Sequence, residues 1–121
     1  MKWDLLSILP RDLQGSAICL ERLGVNGFAW TRPNALRVLD ILLRDERALI
    51  GRRAVIGGDV YYQYDGCMEP AYVNWHCEPR VGESLREFVH RSIEDAMEDI
   101  QRVSVPKGKT AIFRFVFGEV L

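Results

Sequence analysis

The segment Ala111-Ile112-Phe113-Arg114-Phe115-Val116-Phe117 constrains this chain more than any other. A strand sends alternate side chains to opposite faces, and here both faces are apolar apart from Arg114. Such a strand belongs in the middle of a sheet, with cover on both sides. Part of that cover is encoded upstream. Leu85, Phe88, Val89, Ile93, Ala96, Met97 and Ile100 recur at the 3.6-residue period and predict a helix over about residues 84–102. Ser84 and Glu87 supply the S-x-x-E capping box that satisfies orphaned backbone donors at its start. Leu36, Leu39 and Leu43, widened by Val38 and Leu42, predict a second main helix over about residues 32–45, with Thr31 as N-cap and Pro33 in the first turn.

Between the helices, 54–56 and 60–64 read as extended, with Val60, Tyr62 and Tyr64 on one side and Tyr61 and Gln63 on the other. Gly57-Gly58 marks a bulge or a close backbone approach, and Asp59 is expected to accept nearby backbone donors. Asp65-Gly66 signals a turn, which Met68, Glu69 and Pro70 extend into a longer loop. A further strand over 71–77 sets Val73, Trp75 and Cys77 against Tyr72, Asn74 and His76. Nearer the start, short helices are expected at 5–9 and 17–23, the latter ending at Gly24, and a short strand at 28–30. The 121 residues then form one α+β domain: a largely antiparallel sheet packed against two main helices, plus short N-terminal helices.

Sixteen Lys and Arg against seventeen acids leave a net charge of −1, which argues against a nucleic-acid binder. The apolar run at the amino terminus is broken by Asp4 and stopped by Pro10, too short for a signal-peptide core or a membrane span. Three cysteines without CxxC spacing fit reduced thiols, so a cytoplasmic protein is expected. Gly108-Lys109-Thr110 mimics the end of a phosphate loop, but Val103 stands where that motif needs Gly and a strand follows where a helix should. Cys67, His76 and Cys77 lack the spacing of a metal site, and adjacent His76 and Cys77 point to opposite strand faces. No cofactor, metal or catalytic constellation is expected.

The charge is unevenly spread. Residues 51–100 hold ten acids against five arginines. On the long helix Glu94 and Glu98 form one i,i+4 row and Asp95 and Asp99 another, in the half where the helix dipole disfavours anions. Two readings stand: a solvated helix face, or a docking surface for a basic protein. Aromatic residues raise the same pair of options. Tyr61, Tyr64, Tyr72 and Trp75 crowd two neighbouring strands, where outward-facing rings either lie under another segment or anchor an interface.

Asn34-Ala35-Leu36-Arg37-Val38-Leu39-Asp40, Ala54 through the Gly57-Gly58-Asp59-Val60 step to Tyr61, Glu69-Pro70 leading to Asn74-Trp75, and Glu83-Ser84 opening a helix that holds Arg91-Ser92 form a pattern. Over roughly residues 24–100 it resembles the bacterial immunity proteins of polymorphic toxin and contact-dependent growth inhibition systems, in particular immunity protein family 40. The resemblance implies a non-enzymatic protein that binds a cognate toxin domain and blocks it. A nuclease toxin would be basic, which suits an acidic inhibitor. The monomer or a weak homodimer is the expected state. The rivals are a small enzyme with Asp59 as general base near His76, and a homodimeric structural module built on the tyrosine-rich strands.

Overall fold

The computed structural model describes residues 5–45 and 53–119; the first four residues of the amino-terminal apolar run lie outside them. Five strands, β1 (Ile18–Cys19), β2 (Phe28–Thr31), β3 (Arg53–Tyr64), β4 (Cys67–His76) and β5 (Thr110–Glu119), form one sheet in the order β1-β2-β5-β3-β4. Every neighbouring pair is antiparallel. The expected central position of the last strand is found: β5 runs beside β3 for its whole length and beside β2 from 112 to 114. Helices α1 (Arg11–Gly15), α2 (Arg32–Arg44) and α3 (Leu85–Arg102) complete the α+β fold.

Strand alternation divides the core. Trp30, Val60, Phe113 and Phe115 share one face and are buried with Ala35, Val38, Leu39 and Leu42 of α2 and Phe88, Val89, Ile93, Ala96 and Ile100 of α3. Aromatic contacts knit this layer: Trp30 stacks on Phe115 at 6.1 Å, and the Trp30 indole N–H donates to the Leu13 carbonyl at 2.9 Å, tying α1 to the sheet. On the opposite face, Ala29, Tyr61 and Ile112 are buried under Leu20, with Ile18, Leu23, Val25 and Met68 around them. This second, smaller cluster explains why β5 carries apolar residues on both sides.

Four expectations are corrected. Residues 17–23 do not form one helix: Ile18–Cys19 pair with β2, and only Glu21–Leu23 make a 3-10 turn, closed by Gly24 in the left-handed region at φ 72°. Burying Leu20 over the sheet outweighs local helix preference here. The short helix expected at 5–9 is a 3-10 turn at Leu6–Ile8, and Arg11–Gly15, unforeseen, forms α1 behind Pro10. The β3–β4 connection is the tightest kind of hairpin, because Asp65 (φ 48°) and Gly66 (φ 73°) both take the left-handed conformation that two-residue turns require. Met68, Glu69 and Pro70 therefore belong to β4, where Pro70 is tolerated on an edge strand.

Candidate partner-binding site

The Gly57-Gly58-Asp59 step makes a close approach directly after a bulge. Val55 faces Phe117 and Gly57 faces Val116, so Ile56 is an extra residue in β3. At Gly58 the bare backbone lets the Trp75 ring lie over the strand, where its edge meets Phe115 at 6.5 Å. Asp59 departs from expectation. It takes side-chain partners: the Tyr61 hydroxyl donates to it at 3.2 Å, and an Arg114 guanidinium nitrogen stands 3.8 Å away. Asp59→Ala is expected to cost about 1 kcal/mol, the worth of a half-buried hydrogen bond, read as a shifted denaturant midpoint. His76, proposed as its catalytic neighbour, is exposed and meets Glu78 at 3.1 Å instead.

The other candidate residues separate by environment. Tyr61 is buried, 5% exposed, which removes it as an accessible anchor; its hydroxyl is held above the usual tyrosine range by burial and by Asp59. Tyr64 is half-buried and donates to Glu69 at 3.2 Å, which pushes the phenol up in the same way. Lys109, the residue that mimicked a phosphate-loop lysine, pairs with that Glu69 and lies 4.6 Å from the centre of the Tyr64 ring. Its charge is engaged within the fold.

Tyr72 is the exception among the tyrosines. Between the pairs Asp59–Asn74 and Tyr61–Pro70, three residues of β4, Ala71, Tyr72 and Val73, stand opposite the single residue Val60. The excess is taken up at Tyr72, which adopts φ 58° and is 89% exposed. Periodicity offers no hint of this bulge, since Ala-Tyr-Val-Asn-Trp reads as ordinary strand.

The acidic rows of α3 also divide. Asp95 receives Arg91 at 3.2 Å and the Cys77 thiol at 3.8 Å. Arg91 further grips Glu83 at 2.6 Å and the Glu78 carbonyl at 2.6 Å, pinning the β4–α3 connection onto the helix. Burial pushes the Cys77 thiol up. Glu98 meets Arg102 at 3.6 Å, and both remain largely exposed. Glu94 is exposed. Asp99 is half-buried and makes no ion pair or hydrogen bond among the described residues; burial, and then the like charge of Asp95, raise its carboxyl above the usual range. It lies on the wall of a cavity of about 400 Å³ with Val73, Asn74, Trp75, Arg102 and Val103. The Trp75 indole N–H, itself buried, finds no acceptor among the described residues.

Among the described residues no group of three or more His, Cys, Asp and Glu is arranged to hold a metal, and no helix is long and apolar enough to cross a membrane. The described residues thus form a five-stranded antiparallel sheet with two helices on one face, exposed acids on α3 and a protruding aromatic on the edge strand β4. The family model of immunity protein 40 matches residues 19–117, from β1 almost to the end of β5. The chain belongs to the immunity protein 40 family. No curated protein and no solved structure matches it.

Proposed function

We propose that this chain neutralises a cognate toxin domain by forming a stoichiometric complex with it in the cytoplasm, without catalysis of its own, and that the toxin is basic, as a nuclease would be. Membership of an immunity family supports a toxin partner in general. The observation that carries the basic character is the outer surface of α3, where Glu94 and Glu98 are exposed one turn apart with half-buried Asp95 and Asp99 beside them. Those acids lie in the second half of the helix, the half whose dipole disfavours anions, and each like-charge i,i+4 row costs about 0.2–0.5 kcal/mol, eased by Arg91 and Arg102. A docking role gives that cost a return, because complementary potentials speed encounter and reject wrong partners.

Stopped-flow association with the toxin domain encoded beside the gene tests this. Glu94→Lys with Glu98→Lys is expected to slow association about 10-fold at low salt and to flatten its salt dependence, with dissociation little changed. Both residues are exposed, so the doubly substituted chain should fold normally. Unchanged association would remove α3 from the interface.

A further inference from the structure

Two features that work against the fold meet beside one cavity. Tyr72 holds a left-handed backbone conformation that a side chain with a Cβ disfavours, and it gains no burial in return. Asp99 keeps a half-buried carboxylate in no ion pair, beside Asp95 and Glu98, with Arg102 offsetting only part of the repulsion. Residues in sparsely populated conformations and carboxylates lacking partners persist where something other than folding requires them, and they concentrate at binding sites. Here they are contiguous. Tyr72 immediately precedes Val73, which with Trp75 forms the β4 side of the cavity; Asp99 forms the helix side.

We infer that this cavity receives a basic side chain of the toxin, an arginine or a lysine, seated against the Trp75 indole and the Asp99 carboxylate while Tyr72 anchors the same partner outside it. The inference rests on the toxin-binding reading above and identifies the contact that reading leaves open. Charge selects the guest: Asp99 forms no ion pair, the nearby Arg102 being paired with Glu98 and offsetting only part of its charge, and an indole attracts cations by its ring quadrupole. Val73 (39% exposed) extends the apolar contact next to Tyr72, and aromatic side chains presented on a fixed backbone are the usual interface anchors.

The same two features make a discriminating test, because removing either should leave the fold no worse. Glycine accepts φ 58° without strain, so Tyr72→Gly is expected to keep or raise the melting temperature. Its affinity for the catalytically inactivated toxin domain should nevertheless fall about 30-fold or more, mostly through faster dissociation. Asp99→Asn should likewise melt no lower than wild type and bind about 10-fold more weakly. If wild type binds and both variants bind equally well, this docking site is overturned while the toxin-binding reading survives. Loss in Tyr72→Gly alone overturns the basic guest. Failure of wild type itself to bind overturns the functional reading. A wild-type chain that sediments as a dimer, split by Tyr72→Gly, would assign the surface to a second copy and overturn the inference.

Discussion

Gly58→Ala is expected to lower the melting temperature by about 10–15 °C, equivalent to about 3 kcal/mol. A Cβ at this position would stand 2.3 Å from two carbons of the Trp75 ring and 2.6 Å from the Arg114 carbonyl oxygen. The ring can move only by leaving Phe115, and the carbonyl only by disturbing the β3–β5 ladder that forms the centre of the sheet. Both routes lose packing in the main core. Trimming the ring in the double variant Gly58→Ala with Trp75→Leu should recover part of the loss but not all, because the clash with backbone remains. Thermal unfolding followed by circular dichroism measures this. A single variant melting within about 2 °C of wild type would mean that β4 is free to shift, and the close approach would then hold no structural role.

Arg91→Met is expected to lower the melting temperature by about 8–12 °C and to change its response to acid. The guanidinium, 19% exposed, meets Glu83, Asp95, the Glu78 carbonyl and the Cys77 sulfur, and lies 5.5 Å from the centre of the Phe88 ring. Methionine can fill much of the volume but leaves Glu83, whose side chain is 10% exposed, without its ion-pair partner. In the intact chain the hydrogen bonds from Arg91 hold the Glu83 carboxyl down at about 2. A carboxyl depressed on folding contributes stability that is complete above its ordinary range near 4.5 and is lost as pH falls towards 2. Wild type should therefore lose melting temperature steeply between pH 5 and pH 2, and Glu83→Gln should flatten that descent. Parallel curves for the two chains would show that Glu83 takes no part in the acid response.

The elements that were legible from residue patterns are those with local causes. The α3 helix begins where Ser84 and Glu87 predict, with both reciprocal hydrogen bonds formed, because a capping box acts within four residues. Helix α2 follows Thr31, whose side chain makes no capping hydrogen bond, and carries Pro33 in its first turn, where a missing N–H leaves no helical bond unmade. The two glycines signalled a bulge or a close approach; the close approach lies at the glycines, and the bulge just before them at Ile56. Family resemblance was also readable, since the motifs that carry it lie within residues 19–117.

Alternation along β3 by itself places Tyr61 on the face away from the helices, and an apolar strand with one charged residue demands a central position. Whether Tyr61 reaches solvent was decided elsewhere, by residues 18–25 folding over that face, a contact with a partner some forty positions away. The Tyr72 bulge has no local cause at all: its sequence favours regular strand, and the left-handed residue arises because the register set by the hairpin turn and the register beyond Asp59 differ by two residues on β4. Asp95 meets Arg91 one turn before it, a pairing the i,i+4 spacing allows, whereas the half-burial of Asp99 comes from the end of α3 lying beside β4. Short-range hydrogen bonding and periodicity are written into neighbouring residues, whereas exposure, register and charge pairing are set by segments that meet only in the folded chain.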